Sequence, residues 1–423
     1  MIPRNRIDIG WSDLAFALRC CIFPGDRQAA QARVERNWSD GAHTLASLSV
    51  RSGFDALLSV LALPRGSEIL VSAITIRDMT CIIEAHGLRA VPVDLDVETL
   101  SVRLESLTRA ITPRSKAILV AHLFGSRMEL QPVVELARRH HLLVLEDCAQ
   151  CYAADGYRGH PGSDAALFSF GPIKTATALG GALLRFRDAA LCRSVRDAQA
   201  RQPVQSLGSF LGRVCKYLAI HLVSYRLPYS LFAALCRLAR TNHDAIISKA
   251  VRGFPGAVFL DQIRRQPCFA LLTLLQRRLA QRARTRAQVE RRVAAATIAT
   301  GSMPMVWRPG SRAGIHSHWV FPILSADPDQ LVAHLWRHGF DGTRGASSLY
   351  VVQPLTAEDP GAIEARRAME RIAYLPICPG MSNADLRRMA EAVARFETSR
   401  ERGLAPARLA RANARDSRIV TRG

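Results

Sequence analysis

Between residues 50 and 190 the chain alternates short apolar runs with amphipathic stretches. Ser52–Leu61 repeats its apolar positions with a helical period. Glu68–Ser72 follows as a strand. The rhythm then repeats. Met79–His86 predicts a helix that Gly87 stops, and Ala90–Val93 a short strand before the acidic turn Asp94–Asp96. Leu104–Ala110 is helical in pattern, Ala117–His122 a strand and Leu130–His140 a helix. Leu142–Leu145 is a strand that runs into Glu146 and Asp147, and Ala182–Phe186 a further strand. Strands alternating with helices at this spacing predict an α/β fold with a mostly parallel central sheet covered on both faces. In such sheets ligands gather beyond the carboxyl ends of the strands.

Residues 191–261 interrupt the rhythm and look like a helical insertion. No Asp or Glu occurs between Asp197 and Asp244, while Arg213, Lys216, Arg226, Arg237 and Arg240 punctuate an apolar stretch. Pro228 is expected to split that stretch into two helices. Leu271–Ala295 predicts one long, arginine-rich helix. From 315 to 395 a second, smaller α/β unit follows: His318–Ile323 as a strand, Pro328–His338 as a helix, Leu386–Phe396 as a closing helix. The expected division is a large domain from 1–190 and 262–295, the insertion at 191–261, a small C-terminal domain at 296–398, and a polar basic tail at 399–423, expected to be disordered.

Charge narrows the partners. Lys and Arg number 57 against 36 Asp and Glu, a net +21. That excess suits a phosphate-bearing small molecule, an acidic membrane surface or nucleic acid. Aromatics make up only 6% and no zinc finger or RNP-like motif occurs, so nucleic acid is not expected as a partner. Basic amphipathic helices over 205–240 suit peripheral contact with an anionic membrane. The alternative is an ordinary helical hairpin packed on its own domain or on a second subunit, and neither half is long enough to span a bilayer. The ten cysteines are scattered. Cys148 and Cys151 have CxxC spacing, but no second pair supports a metal site, and small core-lining residues are the expectation, in a reducing cytoplasm. The first twenty residues carry Asp8 and Asp13 and lack a long apolar run, so neither a signal peptide nor a membrane span is expected there.

The chemistry concentrates in two places. Leu143–Asp147 sets the Asp147 carboxylate at the end of a buried strand, where an open sheet presents groups to a ligand. The stretch FSFGPIKTATALGG, 168–181, sets Lys174 in apolar surroundings. A lone lysine there ordinarily snorkels to water. A desolvated amine can instead lose its proton and form a Schiff base. Ser169 supplies a hydroxyl five residues before that lysine, and Gly180–Gly181 permits a tight turn. Pyridoxal 5′-phosphate asks for these groups together: a lysine for its aldehyde, a carboxylate for its ring nitrogen, a hydroxyl and turn amides for its phosphate.

In order and spacing these landmarks resemble the DegT-type (DegT/StrS) sugar aminotransferases, pyridoxal-phosphate enzymes of fold type I. The resemblance runs from about Ser52 to Arg187 and from His318 to Phe396. It rests on Ser52–Gly53, Thr112–Lys116, His122–Gly125, Glu146–Gln150, Phe168–Lys174, Gly180–Gly181, His338–Gly339 and Leu375–Gly380. It implies that Lys174 carries the cofactor aldehyde and shuttles the proton, that Asp147 pairs with the pyridine nitrogen, and that Gln150 meets the ring face or its 3-hydroxyl. It further implies that Ser169 binds the phosphate, helped by backbone amides of Gly53, Phe54 and Asp55, and that Ile76 lies near the ring. A homodimer follows, with an amino acid (glutamate) as donor and a keto-sugar, nucleotide-linked or lipid-linked, as acceptor. Three departures stand out. Phe54 and Asp55 replace a small hydroxyl residue and an alanine, Ile76 replaces an aromatic, and Gly253–Gly256 with Asp261–Arg265 gives no clear match to the family's asparagine loop. They motivate a rival reading, a degenerate relative with a regulatory or assembly role. A dehydratase is disfavoured because such members carry histidine in place of the lysine.

Overall fold

The structure is a computed structural model that describes residues 1–4, 7–38, 43–241, 243–251, 259–345, 348–356, 361–378 and 380–399. The tail from 400 onward, and the Gly253–Gly256 stretch, lie outside these residues.

A seven-stranded sheet forms the centre. In spatial order its strands are Thr44–Ser47, Ala182–Phe186, Ala165–Ser169, Leu143–Asp147, Ser115–Ala121, Glu68–Ser72 and Arg89–Val93. The last five pair in parallel, while Ala182–Phe186 runs antiparallel to both of its neighbours. The parallel strands are buried almost throughout, as the continuous apolar runs required. One apolar core lies on each face: Phe54, Leu57, Ile82 and Leu184 fill part of one, Val93, Ile118, Val133 and Val144 part of the other.

Each parallel strand is followed by a helix or loop that carries the chain back, so the carboxyl ends of Leu143–Asp147 and Ala165–Ser169 share one rim. Asp147 pairs in register with Leu167 there. Strand Phe321–Leu324 pairs antiparallel with Ile372–Leu375 in the C-terminal part, and the helix 383–399 packs on the same core as Phe340 and Leu335.

Several sequence expectations are corrected. The arginine-rich helix is two helices, Phe269–Ala280 and Arg282–Gly301, because the chain leaves helical geometry at Gln281. Arg278 is almost wholly buried there, bonded to Asp8, Asp13, Gln281 and the Thr177 carbonyl, so part of the charge of this stretch is internal. Pro228 does not break the insertion. The break falls at Ser224–Tyr225, where Leu207–Val223 meets Arg226–Leu238 at 93°. Pro228 sits in the first turn of the second helix, where its missing amide costs nothing. The strand at 318–323 begins at Phe321, with His318 in left-handed backbone at φ 46°. Two N-terminal helices, Trp11–Ile22 and Arg27–Trp38, and the edge strand Thr44–Ser47 were not foreseen.

Candidate active site

Lys174 lies on the loop that leaves strand Ala165–Ser169 and returns through Gly180 and Gly181. That loop is tied down along its length. Asp8 accepts from the Ala176 amide at 2.7 Å, Arg278 donates to the Thr177 carbonyl at 3.1 Å, and Arg213 donates to the Leu179 carbonyl at 3.3 Å. Gly181 has φ +86°, left-handed backbone that a side chain would strain.

The Lys174 amine sits 3.9 Å from the centre of the Trp319 ring. The indole is fixed in turn, since its Nε1 donates to the Ile173 carbonyl at 2.9 Å. Burial pushes the amine down from 10.5 to about 7; the charge of Asp147 opposes this and that of Arg51 adds to it. A large share of the amine is therefore neutral and nucleophilic near neutrality.

Asp147 is buried at the strand end. Burial pushes its carboxyl above the ordinary value, against the Ala149 amide, which donates to Oδ1 at 3.0 Å, and the charge of Lys174. A buried carboxyl raised in this way has a favourable use for a cation placed against it. Gln150 follows on the same turn, its Oε1 accepting from the Phe124 amide at 2.8 Å.

Beneath the loop is a cavity of about 210 Å³, lined by Ser49, Arg51, Ser169, Gly171, Gly180 and Gly181 from the sheet side and by Arg213 and Lys216 from the insertion. Three cations (Arg51, Arg213, Lys216) and three hydroxyl side chains (Ser49, Ser169, Tyr217) line it, and no carboxylate does among the described residues. That donor set suits an anion, and a phosphate above all. Arg213 and Lys216 were flagged in the sequence only as part of a basic stretch. Their signal was the gap in acidic residues, which cannot say where a helix will dock.

A second cationic group lies nearby. Arg292 donates to Thr175, the residue after the lysine, at 3.1 Å, and burial holds its guanidinium below the ordinary value. His316 and His318 stack at 4.0 Å, and burial pushes them down to about 3 and about 4, with Arg308 adding to the effect in both. Both imidazoles are thus neutral at pH 7.

Gly53, Phe54 and Asp55, whose amides were expected at the phosphate, do not line this cavity. The Gly53 amide donates to the Ser49 carbonyl at 3.0 Å inside helix Val50–Leu61, and a Cβ on Gly53 would meet Leu184 at 2.5 Å, so this glycine serves close helix–sheet packing. Phe54 is fully buried in the core. Asp55 faces Arg264, which donates to its two oxygens at 2.9 and 3.0 Å, and His86 at 3.0 Å. The acid that seemed to threaten a phosphate turns away from the cavity. Val50 and Arg51, one turn earlier, begin the helix beside Ser49, which lines the cavity with Arg51. Ile76 ends the strand Ile74–Ile76, paired with Leu349, and packs into the core below.

The CxxC pair has an unforeseen neighbour. The ligand atoms of His122, Cys148 and Cys151 lie within 4.8 Å of one another, all buried. The imidazole is already engaged, however. Its Nε2 is 3.1 Å from Glu146, and its Nδ1 accepts from the Met128 amide at 3.3 Å. Glu146 also accepts from Tyr157 at 2.6 Å and from the His160 amide at 2.6 Å. With both ring nitrogens used, the cluster is a polar core that holds the strand end bearing Asp147.

A buried amine and a buried carboxyl thus lie at the rim of an α/β sheet, near a cationic cavity. Residues 25–208 match the DegT/DnrJ/EryC1/StrS aminotransferase family, which bears out over that stretch the resemblance read from the sequence. A GDP-perosamine synthase of Caulobacter vibrioides is 32% identical over 168 residues, 38% of this chain and 45% of that protein. The chain thus spans about half the length of the curated relative it matches. Among solved structures, the sugar aminotransferase CalS13 from Micromonospora echinospora superposes with TM-score 0.67 at 19% identity, covering 93% of this chain and 100% of that one. NtdA from Bacillus subtilis, with bound cofactor PMP, gives 0.67 at 16% over 92% and 83%. DesI, in the presence of its TDP-sugar product, gives 0.65 at 17% over 95% of each chain. The fold is therefore the α/β fold of these enzymes.

Proposed function

We propose that this chain is a pyridoxal-phosphate-dependent aminotransferase that moves an amino group from an amino acid, glutamate, to a keto-sugar. The observation that carries the reading is the Lys174 amine, buried under Trp319 on the loop that follows strand Ala165–Ser169, whose neighbour strand ends in the buried Asp147; burial lowers the amine to about 7. The residues fit the cofactor. Lys174 would hold the aldehyde carbon, Asp147 the ring nitrogen, Gln150 the ring edge, and Ser169 with Arg51, Arg213 and Lys216 the phosphate. Bound there, the cofactor would supply an electron sink for the carbon that exchanges its amino group.

The protein's own work follows from its groups. Lys174, once released from the aldehyde, has a proton affinity suited to taking a proton at neutral pH and returning it. The Asp147 carboxylate would keep the ring nitrogen protonated. Trp319 would keep water from the amine. Arg292 and Arg308 supply charge for a donor carboxylate or a sugar phosphate. A homodimer is part of the proposal, as is peripheral contact of the 205–240 segment with an anionic membrane. No single helix among the described residues is long and apolar enough to cross a membrane. Two of the relatives are named with nucleotide-borne sugars, a GDP sugar in one and a TDP-sugar in the other.

Purified protein should absorb visible light and bleach when glutamate is added. Borohydride reduction followed by mass spectrometry should then find a pyridoxyl group on Lys174. Colour that never bleaches with any amino acid would favour the non-catalytic relative, and a lysine without the group would end the proposal.

A further inference from the structure

A second cavity lies against Trp319, the ring over the Lys174 amine. It measures about 330 Å³. Ile173 and Trp319 line it, so the ring that covers the lysine amine is part of its wall. The rest of the wall is nearly all apolar. Ala219, Ile220 and Val223 come from the first insertion helix, and Tyr229 and Phe232 from the second. Ile246 and Ile247 of helix His243–Val251 continue it, and Val320, Phe321, Leu375 and Ile377 close it from the C-terminal part.

Its polar groups are spoken for. Arg4 binds the Asp341 carboxylate with Nε at 2.7 Å and Nη2 at 2.9 Å, and Tyr229 donates its hydroxyl to the same carboxylate. A cavity of roughly 150 Å³ with an apolar lining accepts a benzene, so this one has space for about ten to twelve chain carbons. Such a lining has little to offer a nucleotide base or a ribose, whose polar edges would lose water without recompense.

The chamber also reaches the surface. Val223 and Ile246 line it and are themselves 37% and 44% exposed. Beside that mouth the second insertion helix shows Leu227, Leu231, Leu235 and Leu238 on one face, 83%, 62%, 54% and 83% exposed. Arg226, Arg237 and Arg240 flank this stripe, and the two helices carry no acid. A leucine face bordered by arginines is suited to resting in the headgroup layer of an anionic membrane.

We infer that the chamber holds a hydrocarbon chain borne by the amino acceptor, which is therefore a lipid-linked keto-sugar taken from an anionic membrane surface. The inference rests on the reading of Lys174 as the amino-transfer residue. The chain lies on the Trp319 side of the lysine, and the cationic groups Arg292 and Arg308 are left for the phosphate that joins chain to sugar. The insertion helix 207–223 serves both ends, through Arg213 and Lys216 on the cofactor phosphate and through Ala219, Ile220 and Val223 on the chain.

The test uses the full-length, cofactor-loaded protein and cis-parinaric acid, an eighteen-carbon fluorescent amphiphile, as probe. Saturable one-to-one binding is expected, with energy transfer from tryptophan. Ala219→Trp and Val223→Trp, which fill the mouth, should weaken it at least tenfold while the pyridoxyl group still loads on Lys174. A diazirine-bearing fatty acid on the unaltered protein covers the case of variants that do not fold. Its label should fall on Ile220, Val223, Phe232, Trp319 or Phe321, which line the chamber. Vesicles with acidic phospholipid should carry the protein down, and Leu231→Ser with Leu235→Ser should release it without changing parinaric acid affinity. No saturable binding, equal binding by the filled variants, or label confined to the exposed leucines would overturn the inference. In the last case the stripe is a surface for a second copy of the chain or for lipid alone. Failure of Lys174 to load would instead sink the aminotransferase reading, whatever the amphiphile does.

Discussion

Trp319 covers the amine of Lys174, its ring centre 3.9 Å from Nζ. Two effects on the amine oppose each other. The ring attracts a cation, worth about 0.5–2 kcal/mol, which would raise the amine's proton affinity. Burial by all its surroundings, this ring among them, excludes water, and the fall from 10.5 to about 7 corresponds to several kcal/mol at about 1.4 per unit, so burial wins. Trp319→Ala is expected to move the amine back toward its ordinary value, and Trp319→Phe to leave it near 7. The pH dependence of imine formation with pyridoxal in cofactor-free protein measures both. Because the folded value is lowered, the folded state is penalised most below pH 7 and the penalty lifts as pH rises toward 10.5.

Asp147→Asn removes the charge proposed to face the ring nitrogen and keeps the shape. The pyridoxyl group should still form on Lys174. Turnover with glutamate should fall by roughly a hundredfold to ten-thousandfold, the range for losing a positioned ionisable group. Stopped-flow absorbance separates loading from turnover. The variant also loses the one carboxylate that supports the protonated lysine, so the amine should titrate lower still.

Arg213 and Lys216 are expected to hold phosphate, although both come from the insertion. Arg213→Gln and Lys216→Gln should each weaken pyridoxal phosphate by about tenfold, or about 1.4 kcal/mol, as for a charge-assisted contact. Affinity for pyridoxal, which lacks the phosphate, should be unchanged. Equilibrium dialysis with both compounds reads the difference, and equal losses for the two would place these side chains outside the phosphate site.

Asp341 joins the N-terminal segment, the insertion and the C-terminal part through Arg4, Tyr229 and His243. Burial works against the charged carboxylate, but the bonds from His243 and Arg4 and the charge of Arg4 outweigh it and hold the group at about 2, against 3.8. The unfolded chain therefore takes up this proton first. The stabilisation is present above pH 4 and is lost as pH falls through 2, about 2 kcal/mol in all. Asp341→Asn should be less stable than the parent at pH 7 and approach it near pH 2. Urea unfolding across that range gives the comparison.

The departures at positions 54, 55 and 76 show how far residue order alone carries. A phenylalanine and an aspartate after Ser52–Gly53 suggested a damaged phosphate cradle. In the structure Phe54 is core, Asp55 is neutralised by Arg264 and His86, and the cavity takes its cations from Arg51, Arg213 and Lys216. Arg264 is 209 residues from Asp55 and could not be paired with it by inspection.

The sequence by itself determined the alternating pattern, hence the parallel sheet, and the placing of Asp147 at a strand end with Lys174 on the next return. Both are consequences of local periodicity and short-range chain geometry. Only the tertiary structure decided what surrounds that lysine. A helix inserted between two halves of the fold docks by burying its apolar face, and the sequence states that face without naming its partner. Docking is what brings Arg213 and Lys216 to the cavity at Ser169, lines the apolar chamber with the same helix, and leaves Trp319 over the amine as part of that chamber's wall.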